Sequence, residues 1–395
     1  MPVRPDTLRS VVERLAQIER PSASEGEREA AEWIAAALRE RGCEARVEAE
    51  RAHGTYWWPL GIPAAAAVAG GFAARRGGGA GRLLGAVLGA AGAWAVWDDI
   101  GSGAFRWRRR LPSRTTWNVV AEAGDRGAER TLVIVAHHDA AHSGLLFHPG
   151  VLPMIARVAP ALLERSETSP PLMAPVLAGP ALVAAGATLG RAGLLRAGAL
   201  LGLGSIAVFA DVGARGVVPG ANDNLTGVAV LVGLAEALRE EPVSGLRVLL
   251  VSTGSEESFM EGMDAFARRH LDAMPRASTT VLCVDTVGSP QLVMIEGEGM
   301  LVMRDYPEEV RDMVAEAARD AGVPLRRGLR LRNATDGVIA LRRGFPCASI
   351  GSVNRFKAPA NYHWPTDTPP NVHYETVGHA AALAEALVRR MAATG

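Results

Sequence analysis

The stretch at 131–139, TLVIVAHHD, constrains this chain more than any other. Leu132, Val133, Ile134, Val135 and Ala136 are five consecutive apolar residues that run directly into His137, His138 and Asp139. An apolar run of that length without alternation predicts a strand covered on both faces, the habit of a parallel sheet. Such a sheet needs helices on its faces, which commits the chain to an α/β architecture. Imidazole and carboxylate then stand at the strand's carboxyl end, where the crevice of an open α/β sheet takes its ligands. His137 and Asp139 are two apart, so in a continuing strand they point the same way. A carboxylate behind an imidazole is how a metal-binding histidine is oriented. On this stretch alone, a surface loop with two histidines explains the residues equally well.

The pattern recurs downstream. A buried strand at 246–252 leads into Thr253-Gly254-Ser255-Glu256-Glu257, another at 280–285 ends on Asp285, and a last one is expected near 346–350. Helical spacing marks 7–19, 24–41, 225–239, 307–321 and 374–390. Strands at 117–121 and 132–136 read as neighbours joined by the turn Gly124-Asp125-Arg126-Gly127. The fold expected is α/β, a mixed and largely parallel sheet with helices on both faces.

Two pairs of segments break this pattern. The chain is almost wholly Ala, Gly, Val, Leu and Trp over 57–74 and 83–97, and again over 172–189 and 197–212. Each is near the lower length limit for a membrane helix, roughly 17–20 residues, and small residues are frequent, as where membrane helices pack closely. Trp57, Trp58, Trp94 and Trp97 stand near segment ends, which suits an interfacial belt. Two hydrophobic helical hairpins are therefore expected, buried either in a bilayer or against each other. They divide the chain into N-terminal helices of the core (1–55), a first hairpin (56–105), core (106–150), a second hairpin (151–214) and core (215–395). With two hairpins, both chain ends and the chemistry lie on one side. The cluster Arg106, Arg108, Arg109, Arg110 and Arg114 favours the cytoplasmic one. No apolar leader opens the chain, so no signal peptide is expected.

With 42 basic and 42 acidic residues, no polyanion-binding surface is advertised and nucleic acid is not an expected partner. Cys43, Cys283 and Cys347 are isolated and make neither a disulfide framework nor a structural zinc site. What remains is repetition: His137 with Asp139, then Glu256-Glu257, then Asp285 at strand ends, with Asp223 and His363 on loops. Two adjacent carboxylates repel unless a cation or a proton separates their roles. One as metal ligand and one as general base for an activated water resolves that conflict.

AHHD, PGANDNLTG, STGSEES, VDTVG and YHWPTDT, in this order, resemble the motifs of the co-catalytic di-zinc aminopeptidases, relatives of glutamate carboxypeptidase-like enzymes. The resemblance runs from about Asn118 to the C-terminus and excludes both hydrophobic pairs. It implies two Zn²⁺ (or other divalent metals), one held by His137 and Asp285, the other by Glu257 and His363, with Asp223 bridging. It further implies that Asp139 orients His137, that Glu256 takes the proton from the attacking water, and that Tyr362 helps stabilise the oxyanion. The substrate implied is a peptide or small amide; the hairpins, outside the resemblance, separately lead to the expectation of a lipid bilayer as partner. Two departures stand out. About 85 residues separate the His-x-Asp motif from Asp223, where a short loop is usual, and Thr335-Asp336-Gly337 lacks the histidine that relatives often carry there. An N-acyl amino-acid deacylase, a cyclase acting on N-terminal glutamine, and a non-catalytic membrane scaffold are the alternatives. His138, His142 and His148 are candidate extra ligands, and Asp367 a candidate partner of His363. The Arg326, Arg327, Arg330, Arg332 group is a candidate grip for a substrate carboxylate, and Asn222 and Asn224 are turn residues flanking Asp223.

Overall fold

A computed structural model describes residues 3–159 and 167–393. The strands are β1 (Glu44–Ala52), β2 (Arg114–Gly124), β3 (Thr131–His137), β4 (Arg247–Thr253), β5 (Thr279–Val284), β6 (Gln291–Glu298), β7 (Arg304–Asp305), β8 (Arg326–Leu331) and β9 (Cys347–Val353). They form one sheet in the order β1-β2-β4-β3-β5-β9-β6-β7, with β8 beside β6. Its centre, β4-β3-β5-β9, is parallel, while β1, β2 and β6 pair antiparallel at the flanks. Every residue of β3 is buried, as its unbroken apolar run requires.

One expectation fails. β2 and β3 are not neighbours, because β4 lies between them, antiparallel to β2 and parallel to β3. The loop at 125–130 crosses the start of β4 and is tied there: Asp125 N donates to Leu246 O and Asp125 Oδ2 accepts from Gly245 N. A turn signal in sequence reports a reversal of direction, and a third strand can enter the gap.

The helices are α1 (Pro5–Leu15), α2 (Glu25–Glu40), α3 (Trp57–Arg76), α4 (Gly78–Val96), α5 (Val151–Val158), α6 (Ala174–Leu189), α7 (Ala192–Gly213), α8 (Thr226–Glu240), α9 (Glu261–Arg269), α10 (Glu308–Asp320), α11 (Gly337–Arg342) and α12 (Tyr374–Ala393). Apolar stripes of α1, α2, α8, α10 and α12 cover one face of the sheet. The other face is covered by α9, α11 and the near ends of α3, α4, α6 and α7 through Leu60, Val96, Val176 and Phe209.

Those last four helices pack as a bundle, α3 with α4 and α7, α6 with α4 and α7. Its interior is lined by glycine. A Cβ on Gly89 would lie 2.5 Å from Ala184 N, and one on Gly198 would lie 2.7 Å from Gly179 O. Large apolar side chains face outward instead, among them Leu83 (68% exposed), Val87, Leu200 (69%) and Leu203. Small inside and large apolar outside inverts the pattern of a water-soluble bundle and matches helices packed in lipid. At 1.5 Å per residue α3 is about 30 Å long, and α3, α4 and α7 are each long and apolar enough to cross a membrane.

Candidate metal centre

The parallel strands deliver side chains to one crevice. His137 ends β3, Glu256 and Glu257 follow β4, and Asp285 follows β5. Asp223 stands in the loop before α8, and His363 in the loop after β9. Gly227 lets the start of α8 come this close: a Cβ there would sit 2.5 Å from Val284 O and 2.9 Å from the Ala136 side chain.

Asp223 is the hub. Its Oδ1 lies 3.1 Å from His137 Nε2 and its Oδ2 lies 3.2 Å from His363 Nε2. Glu257 Oε2 is 3.2 Å from the same His363 nitrogen, and Glu256 Oε2 is 3.9 Å from His137 Nε2. Two donor triplets, His137/Asp223/Asp285 and Asp223/Glu257/His363, thus share Asp223, each compact enough to close on one cation. Glu256 joins a third group with His137 and Glu257.

The electrostatics point the same way. Burial pushes the Glu256, Glu257 and Asp285 carboxyls above the usual carboxylate range, and neighbouring carboxylates add to it. Burial alone would lower His137, but Glu256, Asp139 and Asp223 hold its pKa well above the usual value; Glu257 and Asp223 lift His363 to about 10. So much buried carboxylate around two imidazoles is a site short of positive charge. Glu257 Oε1 is buried and unpartnered. Nitrogen and carboxylate donors with a spare buried oxygen fit zinc or a similar divalent ion.

A second layer fixes these groups. His137 Nδ1 lies 3.2 Å from Asp139 O and 3.4 Å from its carboxylate, which also accepts from Glu256 N (3.0 Å), Glu257 N (3.1 Å) and Ser22 Oγ (2.6 Å). Asp139 therefore ties the His-x-Asp strand end to the Glu-Glu loop. Asn222 and Asn224 do more than turn the chain. Asn222 Oδ1 accepts from Gly288 N, and Asn224 Oδ1 accepts from Thr286 N, lashing the Asp223 loop to the one bearing Asp285. Ser255, Thr286 and His363 all have positive φ without being glycine, so the loops bearing Glu256-Glu257, Asp285 and His363 are bent through costly backbone.

Three residues brace this layer: Arg20 and Ser22 of the segment between α1 and α2, absent from the sequence reading, and Glu27 of α2, read there only as part of the helix start at 24–41. Arg20 is fully buried and donates to His138 O (2.7 Å), Pro219 O (2.7 Å) and Gly220 O (2.8 Å). Glu27 reaches across to accept from Ser255 N (3.0 Å) and Thr116 Oγ1 (2.6 Å) while capping its own helix through Ala23 N. Ser22 is the third. The Ser24-x-x-Glu27 spacing of a capping box was a readable signal, and Arg20 before Pro21 had none.

Other expectations differ. Asp367 does not hold His363; it accepts from Asn222 N and Asp223 N. His138 is a core residue on Ser252 Oγ, with its pKa pressed down to about 3 by burial, His142 pairs with Arg215 O, and His148 packs edge-to-face against Trp364. Arg327 and Arg330 are engaged by Glu296, Asp312 and Asp305. In the tripeptide without histidine, Asp336 is buried and accepts from Thr253 Oγ1. Tyr362 stacks on the His363 ring at 3.8 Å, and its hydroxyl accepts from Asn333 Nδ2 at 3.0 Å. Beyond the metal residues the cleft is walled by Val293, Ile295, Leu331 and Val353.

Over residues 205–388 the sequence matches the model of peptidase family M28. That span holds Asp223, Glu256, Glu257, Asp285 and His363, and the motif resemblance to the di-zinc aminopeptidases stands. Structures of the same fold include an aminopeptidase from Aneurinibacillus sp. strain AM-1 (TM-score 0.56, 14% identity, 99% of this chain and 94% of that one). They include a Zn-dependent exopeptidase from Parabacteroides distasonis (TM-score 0.57, 12% identity, 98% and 99% covered). A Tannerella forsythia glutaminyl cyclase is also among them (TM-score 0.59, 13% identity, 98% and 99% covered). A search of curated protein sequences gives no match. The M28 match supports a metallopeptidase, on a fold that aminopeptidases and glutaminyl cyclases share.

Proposed function

We propose that this chain is a membrane-anchored di-metal exopeptidase that cleaves an aminoacyl amide or small peptide. The observation that carries the reading is Asp223, whose two oxygens each face a different histidine Nε2. In this reading His137 and Asp285 hold one ion, Glu257 and His363 the other, and Asp223 bridges. Two zinc ions would polarise the scissile carbonyl and acidify the attacking water. Glu256, beside His137 and buried, takes the proton from that water and passes it to the leaving amine. Asp139 keeps His137 oriented, and the Tyr362 hydroxyl, fixed by Asn333, faces the developing oxyanion.

The inverted bundle supports membrane anchoring, and with it the division of the chain into a core interrupted at 56–105 and 151–214. Arginines do not choose the side. Arg108 is buried against Asp99 and Glu261 and Arg109 is paired with Asp264, while Arg75, Arg76, Arg82, Arg191 and Arg196 cluster at the far turns.

The test is turnover of aminoacyl amides, N-acyl amino acids and glutaminyl peptides by detergent-purified, zinc-loaded protein beside Glu256→Gln. Aminoacyl cleavage lost in the variant with zinc retained is the expected result. Cleavage of N-acyl amino acids alone would favour a deacylase, and cyclisation of N-terminal glutamine alone a cyclase.

A further inference from the structure

The insertion between Asp139 and Asp223 does more than supply two bundle helices. Its first turn reaches the metal centre, where the Phe147 ring packs 4.5 Å from the His363 ring and 5.7 Å from Tyr362. The same turn is fastened to the near end of α7. Leu145 N donates to Asp211 Oδ2 (2.6 Å), Ser143 N donates to Gly216 O (3.1 Å), and Val218 N donates to Ala141 O (2.9 Å). Gly144 permits this approach, since a Cβ there would lie 2.7 Å from a Val212 methyl. The roof of the metal centre and the base of a candidate membrane helix are thus one rigid corner.

The outer surface of that corner is apolar and has no protein cover among the described residues. Leu145 (59% exposed), Leu146, Met154 (58%) and Val158 face outward, and no residue of α5 is buried. The bundle says what covers it. Trp58, Trp94 and Trp97 are exposed at the same near end, where α3 begins and α4 finishes. Tryptophans in that position mark the headgroup boundary. The corner sits at this same end, since Leu145 N is tied to Asp211 and Trp57, next to Trp58, packs edge-on against His142, and short apolar segments beside a membrane helix lie in the interface plane, roughly 5–10 Å deep.

We infer that the rim formed by Leu145, Leu146 and α5 is a lipid-docking surface that seats the roof of the metal centre at the bilayer boundary. The inference rests on the membrane anchoring proposed above and not on the hydrolytic chemistry. It adds that substrate meets the centre at the membrane surface.

Site-specific labelling tests it directly, because Cys43, Cys283 and Cys347 are all buried. Full-length Leu146→Cys and Met154→Cys, each carrying an environment-sensitive fluorophore, are reconstituted into vesicles containing lipids with a nitroxide on the acyl chain. Glu308→Cys on α10, across the sheet from the bundle, is the control. Quenching of about twofold or more at 146 and 154, with none at 308, is expected for interfacial depth. Protein that floats with the vesicles but is quenched no more at 146 and 154 than at 308 overturns the docking surface and leaves the anchor standing. Protein that does not float overturns both.

Discussion

Replacing Arg20 with methionine keeps the side chain's bulk and deletes its charge and donors. Its three short bonds go to His138 O, Pro219 O and Gly220 O, with weaker ones to Ile18 O (3.3 Å) and Leu15 O (3.4 Å). Burial lowers its pKa to about 10, against the raising pull of Asp367, Asp139 and Asp223, so the guanidinium remains charged at neutral pH. Each bond from a charged donor is worth ~1.5–3 kcal/mol. Shared acceptors and relaxation make the three less than additive, so a net loss of ~3–5 kcal/mol is expected, with three carbonyls inside the fold losing their charged donor. The acceptors belong to the strand end bearing His137 and to the loop bearing Asp223, so the loss falls on the metal centre. Supporting-residue changes of this kind cost ~10–100-fold in metal affinity. Competition for zinc against a chromophoric chelator, with thermal unfolding of the metal-free protein alongside, measures both. Arg20→Lys keeps the charge but not the fan of donors and should fall between. If Arg20→Met binds zinc within about twofold of wild type, well short of that range, the bracing argument is wrong.

Other predictions follow from separate parts of the structure. On the proposed two-ion centre, His363→Ala should lower bound zinc from two ions per chain to about one, whereas Asp223→Asn should weaken both; metal analysis after gel filtration decides, and two ions retained by His363→Ala would remove His363 from the ligand set. Gly89→Leu should disrupt the bundle and leave the protein aggregated after detergent extraction, while Leu83→Ala on the outward face should extract normally; equal behaviour would contradict glycine-mediated packing. Burial raises the Glu298 carboxyl from 4.5 to about 8 despite hydrogen bonds from Tyr306 and Thr335. The unfolded chain releases this proton near pH 4.5 and the folded one holds it to about 8, so folding stability should fall across that window. Glu298→Gln should flatten the fall by several kcal/mol at its upper end, and parallel denaturation profiles from pH 5 to 8 for the two proteins would refute the assignment.

The legible parts of this protein are those whose signal is local. β3, β4, β5 and β9 announced themselves as short apolar runs, and the four bundle helices as long ones. His137 and Asp285 were legible because each stands at or next to the end of such a run, and strand ends converge in a parallel sheet; Glu256, Glu257, Asp223 and His363 stand on loops and drew attention through their residue types and motifs. β6 and β8 were missed. Glu296 and Glu298 interrupt the apolar pattern of β6, because the fold buries both behind partners, Arg327 for Glu296 and Tyr306 and Thr335 for Glu298, whose pairing no periodicity reveals.

What the sequence determined by itself was the class of fold and the four long apolar helices, consequences of apolar patterning over ten or twenty residues, and a set of ligand-capable residues marked by type and motif rather than by periodicity. Tertiary structure alone decided that β4 enters between β2 and β3, that Arg20 and Glu27 brace loops more than a hundred residues away, and that Phe147 roofs His363. It also decided that the bundle turns its glycines inward and its leucines outward. The reason is common to all four. Hydrophobic patterning tells a segment to be buried, whereas the partner that buries it is chosen by steric fit and hydrogen-bond satisfaction between segments remote in sequence.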